Sequence, residues 1–140
     1  MMRMRVPVVE FTTPDPIVAT EDMSVDEMQK LMQEHGIRHL PVVNDAGEVV
    51  GVISDRDIRV ILGLSVAEKL LVRASDIMTT DPVTVSADTP LDDVAFTMAE
   101  KKVGSVIVKD EKGKFLGIFT ATDALNALVE IIRSGGPGTD

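Results

Sequence analysis

Gly51-Val52-Ile53-Ser54-Asp55-Arg56-Asp57 and Gly117-Ile118-Phe119-Thr120-Ala121-Thr122-Asp123 are two versions of one phrase: a glycine, two apolar residues, a hydroxyl, two variable residues and an aspartate. The phrase ends a longer match. Sliding the chain along itself by 66 residues, the distance from Gly51 to Gly117, aligns Val9 to Arg59 with Ser75 to Leu125 without a gap. Asp15-Pro16 falls on Asp81-Pro82, Asp22 on Asp88, Asp26 on Asp92, Met32 on Met98, Glu34 on Glu100 and Gly47 on Gly113. Between these anchors aliphatic residues exchange for one another, as Ile37 with Val103 and Val52 with Ile118, so the burial pattern repeats where identity does not. The chain is a tandem duplication of one supersecondary unit.

Each copy reads as β-α-β-β-α. After the Asp-Pro turn, Ile17-Val18-Ala19 and Val83-Thr84-Val85 are too short for a helix and rich in β-branched residues, which predicts strands. Ser24 with Glu27 has the form of a capping box, and Thr89 offers a capping hydroxyl ahead of Pro90 at the first helical position. Val25, Met28, Leu31 and Met32, like Leu91, Val94, Ala95 and Met98, then recur at helical spacing and predict a buried face. A hairpin follows, from His39-Val43 to Val49-Ile53 across Asn44-Glu48, repeated from Ser105-Lys109 to Phe115-Phe119. Second helices start near Asp55 and near Ala121. Ser65-Glu68 is another capping-box pattern and predicts a short connecting helix.

The expected fold class is therefore α+β: an N-terminal segment over 1–8, a first repeat over 9–64, a connecting helix over 65–73, a second repeat over 74–133 and a disordered tail over 134–140. Neither half buries much apolar surface alone, so the two are expected to pack sheet to sheet about a pseudo-twofold axis.

Composition excludes several functions. With 23 acidic against 14 basic side chains, a net charge of −9, no Trp, no Tyr and four Phe, the chain repels polyphosphates and offers almost nothing for bases to stack on, so no nucleic-acid partner is expected. The absence of Cys removes disulfides, thiol nucleophiles and thiolate metal sites. The two histidines, His35 and His39, flank a helix end at Gly36 and do not share a face, so no metal pair is expected. No window nears the roughly 18 apolar residues of a membrane span, and the sequence is read as soluble and cytoplasmic, with no membrane insertion.

The repeated phrase admits two readings. A Ser or Thr followed three residues later by an acid, where a strand meets a helix, is a capping box. The same geometry also serves a nucleotide: the hydroxyl can hold a phosphate oxygen and the aspartate can accept both hydroxyls of a ribose. Arg56 would add a charged phosphate contact that Thr122 cannot. Both readings stay open on the residues alone.

The gapless repeat, the Glu34-His35-Gly36-Ile37-Arg38-His39-Leu40-Pro41-Val42-Val43 phrase and the Gly51–Asp57 motif together resemble the cystathionine β-synthase (CBS) domain, a tandem pair of which is called a Bateman module. The resemblance spans about residues 9 to 133. It implies a regulatory sensor without catalysis of its own, binding an adenosine-containing ligand such as AMP, ADP, ATP or S-adenosylmethionine in clefts between the halves. It implies that Asp57 and Asp123 hold ribose hydroxyls, that Ser54, Arg56, Thr120 and Thr122 lie along the phosphates, and that Thr84-Val85 and Ile17-Val18 support the adenine. His39, with Ser105 as its counterpart, stands where the family often places a basic phosphate contact. Mg2+ is a candidate companion of a triphosphate in so acidic a chain.

Two departures separate the copies. Glu10-Phe11-Thr12-Thr13 stands opposite the more typical Asp76-Ile77-Met78-Thr79, and Gly104-Ser105-Val106-Ile107 replaces Arg38-His39-Leu40-Pro41. The expectation is one occupied site per chain, at Asp57. Apolar stripes of Ile58, Ile61 and Leu62 and of Leu125, Leu128, Val129 and Ile132 point to a homodimer, and sensing requires a regulated enzyme or transporter. The competing expectation is a ligand-free structural or dimerisation domain in which both aspartates only cap helices.

Overall fold

A computed structural model describes residues 6–135. In chain order its elements are a 3-10 turn η1 (Val8–Phe11), β1 (Thr13–Pro14), β2 (Ala19–Thr20), α1 (Val25–His35), β3 (His39–Val43), β4 (Val49–Ser54), α2 (Asp55–Ile61) and α3 (Val66–Lys69). There follow α4 (Ala74–Ile77), β5 (Thr79–Thr80), β6 (Thr84–Ser86), α5 (Leu91–Lys101), β7 (Ser105–Lys109), β8 (Phe115–Thr120) and α6 (Ala121–Arg133). The architecture is mixed α+β with two four-stranded sheets, ordered β2-β3-β4-β5 and β6-β7-β8-β1.

The chain divides into two compact units, and these are not the two repeats. One is residues 16–82; the other joins the N-terminal stretch up to Asp15 with the chain from Val83 onward. The segment that leads each repeat completes the sheet of the other: β5 pairs antiparallel with β4, and β1 with β8. Ala74 and its counterpart Val8 are both fully buried, Ala74 among Val25, Met28, Leu40 and Ile53, and Val8 among Val94, Val106, Val108 and Phe119. The glycines shared by the two copies explain how the fourth strand gets in. A Cβ on Gly51 would sit 2.6 Å from Met78 Sδ and 2.9 Å from the Thr79 carbonyl oxygen, and one on Gly117 would collide with the Thr13 carbonyl oxygen.

Within each unit the hairpin is set by one side chain. Asn44 Oδ1 accepts from the N–H groups of Ala46 (3.0 Å) and Glu48 (2.9 Å), and Asp110 Oδ1 from those of Lys112 and Lys114 (both 2.8 Å). Gly47 and Gly113 then supply the positive φ that closes the turn, at 79° and 81°. α1 begins at Ser24, whose hydroxyl accepts from the Glu27 N–H (3.2 Å), and ends on Gly36 at φ 61°. The short helix at Ser65 carries both halves of its capping box.

Four local expectations change. Thr89 does not cap α5: its hydroxyl pairs with that of Ser86 at 2.9 Å, and Pro90 takes the N-cap position, so the helix starts one residue later. The first strand is shifted towards the C-terminus in both copies, more so in the first, where Ile17 and Val18 precede β2 and only Ala19 of the expected run is in it. The physical reason is Pro41. In the second copy the Ile107 N–H donates to the Val83 carbonyl (2.8 Å), but Ile107's counterpart is Pro41, which has no N–H to give to Ile17. Ile58 is core rather than surface, and Ile61 and Leu62 pack against the same cluster. On α6 the matching residues are Ala124, Ala127 and Leu128, and they leave an apolar groove of about 550 Å³ against α5, lined also by Ala95, Met98 and Val103. Finally, Ser134 and Gly135 form a turn after α6, and the rest of the expected disordered tail, like residues 1–5, lies outside the described residues.

Substituting the two glycines should separate backbone from side-chain crowding. Gly117→Ala is expected to lose about 2–3 kcal/mol in urea denaturation, because a carbonyl in a paired strand cannot step aside; Gly51→Ala should lose less, because the Met78 side chain can partly yield and the Thr79 carbonyl is less crowded than that of Thr13.

Candidate functional site

β4 runs into α2, and β8 into α6, without an intervening residue, because Ser54 and Thr120 end a strand and cap a helix at once. Both keep extended backbone, with ψ 163° and 168°, as an N-cap requires. The Asp57 N–H donates to Ser54 Oγ (3.2 Å) while the Ser54 N–H donates to Asp57 Oδ2 (2.9 Å). Thr120 and Asp123 repeat this at the same distances. The turn is fastened to the neighbouring loop as well: the Asp55 N–H donates to the Arg38 carbonyl (2.8 Å), and the Ala121 N–H to that of Gly104 (3.0 Å). Across the ladder His39 lies opposite Ser54, and Ser105 opposite Thr120. The capping reading is thus correct for both aspartates, and each cap also holds its carboxylate in a fixed place.

The surroundings of the two carboxylates differ. Around Asp57 the charges are dense. Arg59 is tied to Asp55 at 3.2 Å, whereas Arg56 is exposed and has no ion pair among the described residues. Burial pulls the His39 imidazole below its usual 6.5; the Asp55 and Asp57 carboxylates oppose this and the Arg38 guanidinium reinforces it. Around Asp123 the equivalent positions carry Ala121, Thr122, Gly104 and a buried Ser105, none of them a cation. Asp123 instead accepts from the Thr120 hydroxyl (3.1 Å) and from the Thr13 hydroxyl, shared between Oδ1 (3.2 Å) and Oδ2 (3.3 Å).

The unit of residues 16–82 therefore gathers Ile17, Val18, His39, Ser54, Arg56 and Asp57, and the other gathers Thr84, Val85, Ser105, Thr120, Thr122 and Asp123. Ile17, Val18 and Val85 are half-buried, while Thr84 is an exposed residue of β6. Sequence reading missed Thr13. The signal was present in its alignment with Thr79, but nothing in the repeat indicates that β1 crosses to β8. Among the described residues no group of His, Asp and Glu could hold a metal ion, and no helix is long and apolar enough to cross a membrane.

Residues 8–63 and 74–130 each match the CBS domain family. A CBS domain-containing protein of Dictyostelium discoideum is 30% identical over 96% of this chain and 99% of its own length. The crystal structure of CBSX2, a CBS-pair protein of Arabidopsis thaliana, in complex with AMP superposes with TM-score 0.78 and 32% identity, over 91% of this chain and 98% of that one. The CBS domain pair of protein MJ0100, in complex with 5′-methylthioadenosine and S-adenosyl-L-methionine, superposes with TM-score 0.80 and 30% identity over the same shares. Other relatives are much longer: the chain is 33% identical to the L-aspartate semialdehyde sulfurtransferase of Methanocaldococcus jannaschii but spans only 22% of it. This chain is a member of the CBS-domain family and carries a tandem pair of those domains.

The lowered His39 pKa has a definite sign in stability. The unfolded chain takes up the proton first, so this contribution is intact above 6.5 and is lost as pH falls through the lower folded value. In urea titrations between pH 7.5 and about 5, the wild type should lose more stability than His39→Gln; parallel pH dependences would show that His39 titrates as in the unfolded chain.

Proposed function

We propose that the protein is a regulatory module, with no catalysis of its own, that binds an adenosine-containing nucleotide of the AMP, ADP or ATP class and passes the signal to a separate enzyme or transporter. The observation that carries this is the Asp57 carboxylate. One oxygen is fixed by the Ser54 N–H at 2.9 Å, and Oδ1 accepts no hydrogen bond among the described residues; Arg56, without an ion pair among those residues, is one position before Asp57, and His39 lies opposite Ser54 on the next strand. That is an acceptor prepared for ribose hydroxyls with basic groups at hand for phosphate. The complexes of CBSX2 with AMP and of the MJ0100 pair with S-adenosyl-L-methionine support the ligand class. Ser54, Arg56 and His39 are assigned to phosphate at the first site, Thr120, Thr122 and Ser105 to the second, and Ile17, Val18, Thr84 and Val85 to the adenine. Mg2+ would accompany a triphosphate into this acidic chain.

A thermal melt with AMP, ADP, ATP, NAD and S-adenosylmethionine, with guanosine nucleotides as controls, tests the ligand class. Ligand at 100 times its dissociation constant should add about 2.7 kcal/mol of stability. Asp57→Ala should weaken binding roughly 10- to 150-fold, or about 1.5–3 kcal/mol. A role limited to capping would instead cost about 1 kcal/mol of stability and leave the ligand response intact.

The module is also proposed to be a homodimer through α6. Leu125, Leu128, Val129 and Ile132 form an i, i+3, i+4, i+7 stripe that is 63, 53, 46 and 67% exposed, beside the α5–α6 groove. A second α6 in antiparallel register would cover it, opposing the two helix dipoles and bringing the acidic first turn near Arg133. Leu128→Glu should convert a dimer into a monomer in sedimentation; a wild-type monomer at high micromolar concentration would reject the dimer.

A further inference from the structure

The two junctions share sequence and register but differ by one hydroxyl. Thr13 and Thr79 are counterparts in the repeat, and they occupy the same rung of their sheets, Thr13 opposite Ile118 and Thr79 opposite Val52. Thr13 donates to the Asp123 carboxylate, whereas no such bond joins Thr79 to Asp57 among the described residues.

A carboxylate has about four acceptor positions. At Asp57 one is filled, by the Ser54 N–H. At Asp123 the Thr120 N–H and the Thr120 hydroxyl both point at Oδ2, and the Thr13 hydroxyl lies across Oδ2 and Oδ1. A ribose presents two adjacent O–H donors and is best met by one free position on each oxygen. Asp57 offers that as it stands; at Asp123 the two Thr120 donors already occupy Oδ2, so a diol must rely on Oδ1, where the Thr13 hydroxyl competes.

We propose that Thr13 is a latch on the second site, an internal hydroxyl that competes with a nucleoside diol for the Asp123 carboxylate. This rests on the adenosine reading above. The latch is weak by construction, because one proton is shared over 3.2 and 3.3 Å, so it biases the site without closing it. It also couples occupancy to the N-terminal segment, since Thr13 lies in β1, directly after η1 with its buried Val8.

Thr13→Val keeps the shape and removes the donor. Asp57→Ala disables the first site, so calorimetric titration with AMP in that background reads the second site alone. Thr13→Val/Asp57→Ala should bind AMP roughly 3- to 10-fold more tightly than Asp57→Ala, the range one hydrogen bond commands. Thr13→Ser/Asp57→Ala, which keeps the hydroxyl, should return to the weaker value. Without ligand, Thr13→Val and Asp123→Asn should lower the melting temperature less in combination than the sum of their separate effects. Equal, weaker or undetectable AMP binding by Thr13→Val/Asp57→Ala relative to Asp57→Ala overturns the latch while leaving the ligand class standing. Failure of the folded wild type to bind any adenosine ligand overturns the nucleotide reading, and the latch falls with it.

Discussion

The close approach of a fourth strand to Gly51 and Gly117 is the constraint on which the fold depends. In each unit a two-residue strand packs so tightly on the β4 or β8 backbone that no Cβ fits, and that strand comes from the other sequence repeat. The exchange brings a buried residue with it, Ala74 in one core and Val8 in the other, so the leading segments are hydrophobic anchors as well as sheet edges. It also covers the outer edge of β4 and of β8, which would otherwise present unpaired N–H and C=O groups to another chain. The glycine at the head of the repeated phrase serves this packing, while the hydroxyl and aspartate at its end cap the helix and, on the proposed function, meet the ligand.

On the proposed function those last residues combine two tasks that are often separated. An aspartate used as the third residue of a capping box is locked by the N–H it accepts, and its rotamer entropy is spent on folding, not on binding. The cap therefore preorganises the acceptor, and it does so from the end of a strand held in a four-stranded sheet, where small displacements are resisted by the whole ladder. His39 extends this rigidity: it sits on the adjacent strand opposite Ser54, buried enough to favour its neutral form yet beside two carboxylates that favour the charged one.

Much of this was legible in the sequence. The duplication, the β-α-β-β-α order, the hairpin turns and both capping boxes follow from periodicities and from residue types whose local chemistry leaves few choices, as Asn44, Asp110, Ser54 and Thr120 show. What was not legible is non-local. The repeat implies that residues 9–64 belong together, yet residues 6–15 fold with the second copy, because pairing between distant strands leaves no periodic trace. Thr13 escaped notice for the same reason: its partner is 110 residues away. The late start of β2 was readable in principle, since Pro41 has no donor, but only once β2 was known to run parallel beside β3. Ile58 and Ile61 turn inward because they stand at the repeat positions of Ala124 and Ala127, not at those of the exposed Leu125, Val129 and Ile132.

The connectivity also orders events during synthesis. Residues 16–82 are contiguous, so that unit has its whole sheet and core once Pro82 has left the ribosome. The other unit begins before it and closes after it: β1 must wait for β8, translated about a hundred residues later, before it has an edge to join. Throughout that interval Val8 has no core to enter. Until β8 is made, the segment of β1 and Val8 is thus an unpaired strand with an apolar anchor.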